Sequence, residues 1–440
     1  MKKEKIILIG SGLSGPLMAN YLARKGYNIK IYERRPDMRK VSQSAGRSIN
    51  LALSSRGIYS LKEVGVYKEI QPFMIPMKGR MIHDLNGSMH LQPYGQRKHE
   101  TIFSVSRAKL NKELMNSAEK TGKISIKFEQ ELKQVDLINN KLTFNDLDVP
   151  FDTVIGCDGS SSVLRQEIVN RSKSNYLKKP LNHGYKELTI SASKSNNYSM
   201  EPNALHIWPR SNFMMIALPN IDKTFTCTLF LPMKGPVSFS SINTNKDITE
   251  LFKSFFPDVI KLMPKLIEDF QNNPTGNLST VYCEPWNYKG KACIIGDAAH
   301  AIVPFFGQGM NASFQDCSFL NELIHTFKGD WGKAFDEFSN THVKNGHAIA
   351  DMAIENYIEM RDLVNDPIYI ERRNLEFELE KEFPERFIPR YSMVSFHKIP
   401  YSEVYQRGRI QMDLMNKFQK GLISKIQLNE SIINQLEPLI

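Results

Sequence analysis

"EKIILIGSGLSGPLMANYLARKGYNIKIYERR" (residues 4–35) decides the fold class. The apolar run Ile6–Ile9 predicts a buried strand, and a Gly-rich turn follows it. Leu13, Met18, Tyr21 and Leu22 then recur at roughly helical spacing before the chain returns as a second strand. Gly10, Gly12 and Gly15 fit the G-x-G-x-x-G pattern between strand and helix. The first permits the tight turn, the second lets a pyrophosphate approach the backbone, and the third lets the helix pack on the strand. Glu33 stands roughly 20 residues further on, where an acid accepts hydrogen bonds from an adenosine ribose. An acid there selects an unphosphorylated ribose, so the ligand of this turn is FAD or NAD rather than NADP. The fold class is α/β.

Two later stretches repeat the theme of a strand ending in an acid. "VIGCDGSSSVLR" (154–165) places Asp158 before a helix start, where it could equally be a plain N-cap. "IIGDAAHAIVPFFGQGMNASF" (294–314) places Asp297 at a strand end and continues through Gly307 and Gly309 into a helix with free N–H groups at its start. Ligands of open α/β sheets bind at the carboxyl ends of strands, so the three ends are expected to converge on one long ligand. No second complete glycine fingerprint occurs, and one dinucleotide is expected to be held permanently.

At 440 residues the chain holds roughly two or three domains. No apolar run reaches the ~18–20 residues that span a bilayer, and the basic start "MKKEKIILIG" lacks the rest of a signal peptide. The expected setting is cytoplasmic and soluble. Five cysteines, an odd number without a CxxC pair, argue against both a disulfide framework and a structural zinc site. No metal is expected. The net charge of +10 is spread along the chain, which points to a solvated basic surface rather than a nucleic-acid partner.

"GRMIHDLNGSMHLQPYG" (79–95) reads as a hairpin around Asn86-Gly87, and residues from about 184 to 285 read as alternating strands. From about Ala334 the pattern is helical almost to the end. "RIQMDLMNKFQKGLISKIQLNESIINQLEPLI" carries Leu414, Phe418, Leu422 and Ile426 at helical spacing, which predicts one amphipathic helix packed on the body.

The fingerprint, the central "DG" and the later "GD" together resemble the class A FAD-dependent aromatic hydroxylases. The blocks "GRSINLALSSRG", "SVSRAKLN", "LHIWPRSNFMMIALPN", "FTCTLFLP", "NYIEMRD" and "YSMVSFH", with the hairpin, resemble the kynurenine 3-monooxygenase branch of that family, in order, to about residue 400. The resemblance implies a Rossmann-like FAD-binding domain (1–75, 101–180 and 286–340), a substrate-side hairpin (76–100), an antiparallel-sheet substrate domain (181–285) and a C-terminal helical region (341–440). It implies hydroxylation of L-kynurenine through a C4a-hydroperoxyflavin, with tightly bound FAD, transient NADPH and O2, in tryptophan catabolism and NAD biosynthesis. FAD contacts would be Arg34, Ala52, Arg107, Leu132, Asp297, Met310 and Asn311, beside Gly10, Gly12, Gly15, Glu33, Asp158 and Gly309. Substrate contacts would be Arg80, Tyr94, Asn356 and Tyr391. Glu359 and Met360 share a helix face with Asn356. Pro304, Phe305 and Phe306 would wall the flavin ring.

The alternatives are a hydroxylase of another small aromatic acid, a flavin-dependent halogenase (whose WxWxIP signature is absent) and a non-enzymatic scaffold. Ser313 and Gln315 stand where relatives often carry Gly and Glu, and the membrane-spanning tail of the eukaryotic members is not matched. One geometric condition follows for the hairpin. A two-residue Asn86-Gly87 turn pairs Arg80 with Pro93 and puts Arg80 and Tyr94 on opposite faces. If both touch substrate, a bulge or a three-residue loop must shift the register by one.

Overall fold

The computed structural model describes residues 4–41, 50–145, 147–172 and 175–439. The first residues of "GRSINLALSSRG", 46–49, lie outside them.

A six-stranded sheet runs in the order Asn287–Tyr288, Ala292–Ile294, Thr153–Gly156, Ile6–Ile9, Ile29–Tyr32, Ile124–Lys127. All of its pairings are parallel except that of Asn287–Tyr288 with Ala292–Ile294. Strands buried on both faces read as continuous apolar runs, and Ile6, Ile7, Leu8 and Ile9 are all buried. The first helix, Ser14–Arg24, packs nine of its eleven residues into the same core. Ile9 pairs with Gly156, and Gly156 with Ile294, so three strands end level with one another.

A seven-stranded sheet follows the order Gly276–Glu284, Asn175–Ile190, Phe225–Pro232, Phe213–Pro219, Leu205–Arg210, Gly79–His83, Met89–Pro93. The hairpin thus extends the sheet of the central region. Its joint with Leu205–Arg210 is parallel, in a sheet otherwise antiparallel. Parallel pairing of strands distant in sequence leaves no local signal. One strand, Asn175–Ile190, crosses residue 181.

The hairpin meets the condition set above. Arg80 pairs with Gln92, not Pro93, and the loop has three residues: Asp84 N–H bonds to Ser88 O at 2.9 Å, enclosing Leu85, Asn86 and Gly87. Asn86 Oδ1 accepts the Ser88 N–H (2.9 Å), an Asx turn that competes with the tighter loop, and Gly87 takes φ 87°. Tyr94, two residues beyond Gln92, falls on the same face as Arg80.

The long helix Trp331–Ile358 passes into a π-helical turn, Glu359–Leu363, and helices Pro367–Glu382, Arg390–Phe396 and Tyr401–Gln419 follow. Among the described residues no helix is long and apolar enough to cross a membrane.

The single C-terminal helix expected from the sequence is two. Tyr401–Gln419 closes with Gly421 at φ 68°, bonding Gly421 N–H to Phe418 O and Leu422 N–H to Lys417 O (both 2.9 Å), a Schellman closure. Lys425–Gln435 then starts from a Ser424–Gln427 capping box. Leu414 is buried, but Leu422 and Ile426 are 70% and 72% exposed, because the break turns them out of the apolar face. We expect Gly421→Ala to destabilise the chain by ~1 kcal/mol, the left-handed penalty of a residue with a Cβ. Denaturant unfolding measures it.

Candidate functional site

The level strand ends open onto a cavity of about 830 Å³. Its floor is the glycine turn. Gly10 has φ 98°, and a Cβ there would stand 2.4 Å from the Cys157 carbonyl oxygen. A Cβ on Gly15 would stand 2.0 Å from Gly10 O, so this glycine serves packing and does not line the cavity. Gly12 faces open space. No side chain caps the Ser14–Arg24 helix, which leaves its first N–H groups to the cavity, where Gly12, Leu13 and Ser14 form the wall.

Glu33 is buried beside this turn. Its Oε2 accepts the Ser11 N–H at 2.7 Å and its Oε1 accepts the Arg35 N–H and Nε–H. Burial opposes its ionisation, but the Arg35 guanidinium and these N–H donors outweigh burial and hold its carboxyl below the usual range. Arg34, Ala52, Arg107 and Leu132 line the same cavity, as do Asp158, Asp297, Gly309 and Met310.

Asp158 joins both readings left open by the sequence. Its Oδ2 accepts the Val163 N–H (2.9 Å) at the start of helix Val163–Ser172, while its buried Oδ1 has no partner. Burial pushes this carboxyl up, against the pull of the donors around it. Asp297 opens the short helix Asp297–His300 and is exposed to the cavity. Helix Gly309–Thr326 has no side-chain cap and no acid in its first turn, so its N-terminus faces the cavity through Gly309 and Met310.

Asn311 departs from expectation. Its side chain is fully buried, and it does not line the cavity. Its amide is engaged by Ser54 N–H, Ala52 O and Gly307 O at 3.0, 2.8 and 2.9 Å. It ties the helix to the strand Asn50–Leu53 and to the residue after it.

A second cavity of about 500 Å³ adjoins the first, and Arg80, Tyr94, Phe306 and Tyr391 form walls of both. Asn356 and Glu359 line the smaller one and Met360 the larger. Tyr391 stacks on Tyr94 (4.9 Å, 7°) and on Phe306 (5.4 Å, 12°). The buried Arg80 guanidinium lies 4.9 Å from the Tyr391 ring centre and donates to Glu359 Oε1 (3.2 Å) and Asn356 Oδ1 (3.4 Å). Burial would lower the Arg80 pKa, but the Tyr369 and Glu359 side chains reverse it and fix the positive charge. Burial likewise opposes the charge on Glu359, and Arg80 and Arg390 restore it. Asn356 also donates to Phe305 O at 2.8 Å, which fixes the Pro304–Phe306 turn in the cavity wall. Asn356 lies in the long helix and Glu359 opens the π turn, yet both reach Arg80.

The sequence reading missed a buried junction behind Asp297. Asp316 Oδ2 accepts the Gly296 N–H (2.8 Å) and His300 Nε2–H (2.6 Å), and its Oδ1 accepts from His342 Nε2 (3.2 Å). Burial works against this carboxylate, but the His300 and His342 contacts hold it well below the usual range. An acid on the stretch Met310–Cys317, buried but for the half-buried Gln315, was the available signal. Tyr369, which donates to Glu359 at 2.6 Å, offered none.

The chain is 45% identical over 427 residues to a kynurenine 3-monooxygenase of Myxococcus xanthus, covering 96% of this chain and 92% of that protein. It is 42% identical over 435 residues to one of Dictyostelium discoideum, covering 95% and 94%. The chain belongs to the kynurenine 3-monooxygenase family. Residues 3–356 also match the family model described as FAD binding domain. Among solved structures, 2-methyl-3-hydroxypyridine-5-carboxylic acid oxygenase superimposes with a TM-score of 0.68 at 18% identity, covering 84% of this chain and 96% of that one. Tetracycline destructase Tet(51) does so at 0.62 and 18%, covering 86% and 96%. At such identities the likeness is one of fold.

The residues present fit FAD, the dinucleotide of the kynurenine 3-monooxygenase family. Two uncapped helix N-termini, a glycine open to space at the pyrophosphate position, the orphaned Asp158 Oδ1 and the exposed Asp297 all meet in one cavity. Asp297→Ala is expected to weaken FAD retention while leaving the fold intact. Flavin-fluorescence titration of the apoprotein, beside its far-ultraviolet circular dichroism, checks this, and a variant that keeps its full flavin complement would count against the role.

Proposed function

We propose that this chain is a cytoplasmic FAD-dependent monooxygenase that converts L-kynurenine to 3-hydroxy-L-kynurenine, consuming NADPH and O2. The five cysteines are all free, which suits a reducing compartment. The observation that carries the substrate reading is the juxtaposition of Arg80, Tyr94, Asn356 and Tyr391 against a dinucleotide cavity. Kynurenine is an aniline with an α-amino-acid tail, and this lining offers a partner for each end.

Arg80 has five N–H donors in a planar fork, and its neighbours engage two of its nitrogens. The remaining donors would take the substrate carboxylate, with Tyr94, whose buried hydroxyl has no partner, adding another. Glu359, ionised beside Arg80, would accept from the α-ammonium group. Held at its tail, the aromatic ring would be aimed at the wall formed by Pro304, Phe305 and Phe306. Bound flavin, reduced by NADPH, supplies the oxygen-transfer chemistry. The chain's own role is to orient the ring, whose amine enriches the ortho carbon, and to keep water out.

The test is NADPH oxidation by the purified flavin-loaded protein with and without kynurenine, with other small aromatic acids as controls. Stimulation by kynurenine with formation of the 3-hydroxy product is expected, and its absence would remove the reading. Arg80→Lys keeps the charge but loses the fork, and Arg80→Met loses both. Loss of a charge-assisted bidentate pair corresponds to roughly 30- to 1,000-fold in kcat/KM. We expect Arg80→Lys to be clearly impaired and Arg80→Met worse, with less product per NADPH. Near-native efficiency in Arg80→Met would place the carboxylate elsewhere.

A further inference from the structure

Arg56 is buried, 2% exposed, and no acidic side chain among the described residues pairs with it. It is the second residue of helix Ser55–Glu63, which follows the strand carrying the cavity residue Ala52. Its guanidinium instead satisfies four neutral acceptors. Nε donates to Val394 O (2.7 Å), Nη2 to Met393 O (3.2 Å) and Ile399 O (2.6 Å), and Nη1 to Gln315 Oε1 (2.8 Å). Its central carbon lies 4.1 Å from the Tyr401 ring centre, and the Tyr401 hydroxyl donates to Gln308 Oε1 at 3.0 Å.

A buried cation without a counter-anion is costly, so the position calls for something no neutral side chain supplies. A planar fork of five donors serves three carbonyls and an amide at once. The acceptors identify what is being held. Met393 and Val394 belong to the short helix Arg390–Phe396, whose first turn carries Tyr391, and a cation at its far end is also favoured by the helix dipole. Gln315 lies on the helix whose N-terminus faces the flavin cavity, and Gln308 immediately precedes that helix. One guanidinium therefore fastens the helix bearing Tyr391 to the elements that build the flavin cavity.

We propose that Arg56 is a positioning residue for hydroxylation. It seats the Arg390–Phe396 helix so that Tyr391 keeps its stack on Tyr94 and Phe306, and so keeps water from the site. The inference rests on the kynurenine reading of that pocket. When the seat loosens, electrons delivered by NADPH pass to O2 without hydroxylation: NADPH, a proton and O2 give NADP⁺ and H2O2.

The experiment compares wild-type holoenzyme with Arg56→Lys, Gln315→Met, Tyr391→Phe and the Arg56→Lys/Tyr391→Phe double variant. Arg56→Lys retains the charge and so guards against a simple failure to fold, and Gln315→Met removes one bond from the other side. Four quantities are read: KM and kcat for kynurenine, product and H2O2 per NADPH, FAD affinity of the apoprotein, and hydrogen exchange of residues 390–400. We expect Arg56→Lys to raise KM about tenfold or more, the equivalent of losing one hydrogen bond from a charged group. Product per NADPH should fall with a matching rise in H2O2, FAD affinity should hold, and exchange should quicken across 390–400. Gln315→Met should move the same quantities less. The double variant should be less impaired than the two single effects combined, because both act through one ring. Faster exchange with unchanged KM and coupling would reduce Arg56 to a structural tie and overturn the proposal, and so would a loss confined to FAD affinity. If wild type itself shows no response to kynurenine, the substrate reading fails, and the exchange and FAD results still report whether Arg56 seats the helix.

Discussion

The closeness of the first helix to the first strand governs the rest of the site. Two glycines make it possible: the Gly10 carbonyl lies where a Cβ of residue 15 would be, and the Cys157 carbonyl lies where a Cβ of residue 10 would be. A methyl group at either position would push the helix off the sheet or force neighbouring strands apart. With both absent, the three parallel strands end level, and the helix directs its unbonded N–H groups across their ends. The long insertions between these strands can then wander without moving the cavity floor. That tolerance is how a seven-stranded sheet and a helical region fit between and after the segments of one nucleotide fold.

Around this floor, buried charge joins segments distant in sequence. Asp316 ties the turn before Asp297 to two helices, and Arg80 ties the hairpin to the long helix at Glu359 and Asn356. Such groups add little net stability over well-packed apolar residues, but they leave few alternative arrangements satisfied. An apolar core at these places would tolerate sliding, whereas a carboxylate with three donors tolerates almost none. Precision at the site comes from these polar crosslinks, set within three larger apolar clusters.

What the sequence made legible follows the range of the interactions. The glycine fingerprint, Glu33 and the strand-end acids are local patterns with local causes, and ten of the twelve other expected FAD contacts join Gly10 around one cavity; Gly15 packs behind it and Asn311 faces inward. The hairpin was legible as a conditional: the face shared by Arg80 and Tyr94 demanded a bulge or a three-residue loop, and the Asx turn at Asn86 accompanies the second of these. The parallel joint of the hairpin with Leu205–Arg210 was not legible, since it pairs segments over a hundred residues apart. Nor was the inward turn of Asn311, two of whose three partners, Ala52 and Ser54, lie more than 250 residues away. The break at Gly421 was in plain view as a glycine followed by Ser-x-x-Gln, but the apolar spacing running through it read as a single helix.

The π turn at Glu359–Leu363 gives this region of the chain an unusual relation to length. Its closing bond, Val364 N–H to Glu359 O at 3.2 Å, spans five residues where an α-helix spans four. Loss of one residue from this turn would let the same carbonyl close an ordinary four-residue bond and leave the segment after it in phase, whereas loss of one residue from the α-helical turns before it would rotate everything after it by about 100°. In the second case Tyr369 would swing away from Glu359, and the helices that cover the pocket would meet it with the wrong faces. A deletion inside the turn would instead change which side chains face the pocket between Asn356 and Val364. The extra residue of this turn thus sets local facing, and the count of residues before it sets the phase of the C-terminal region.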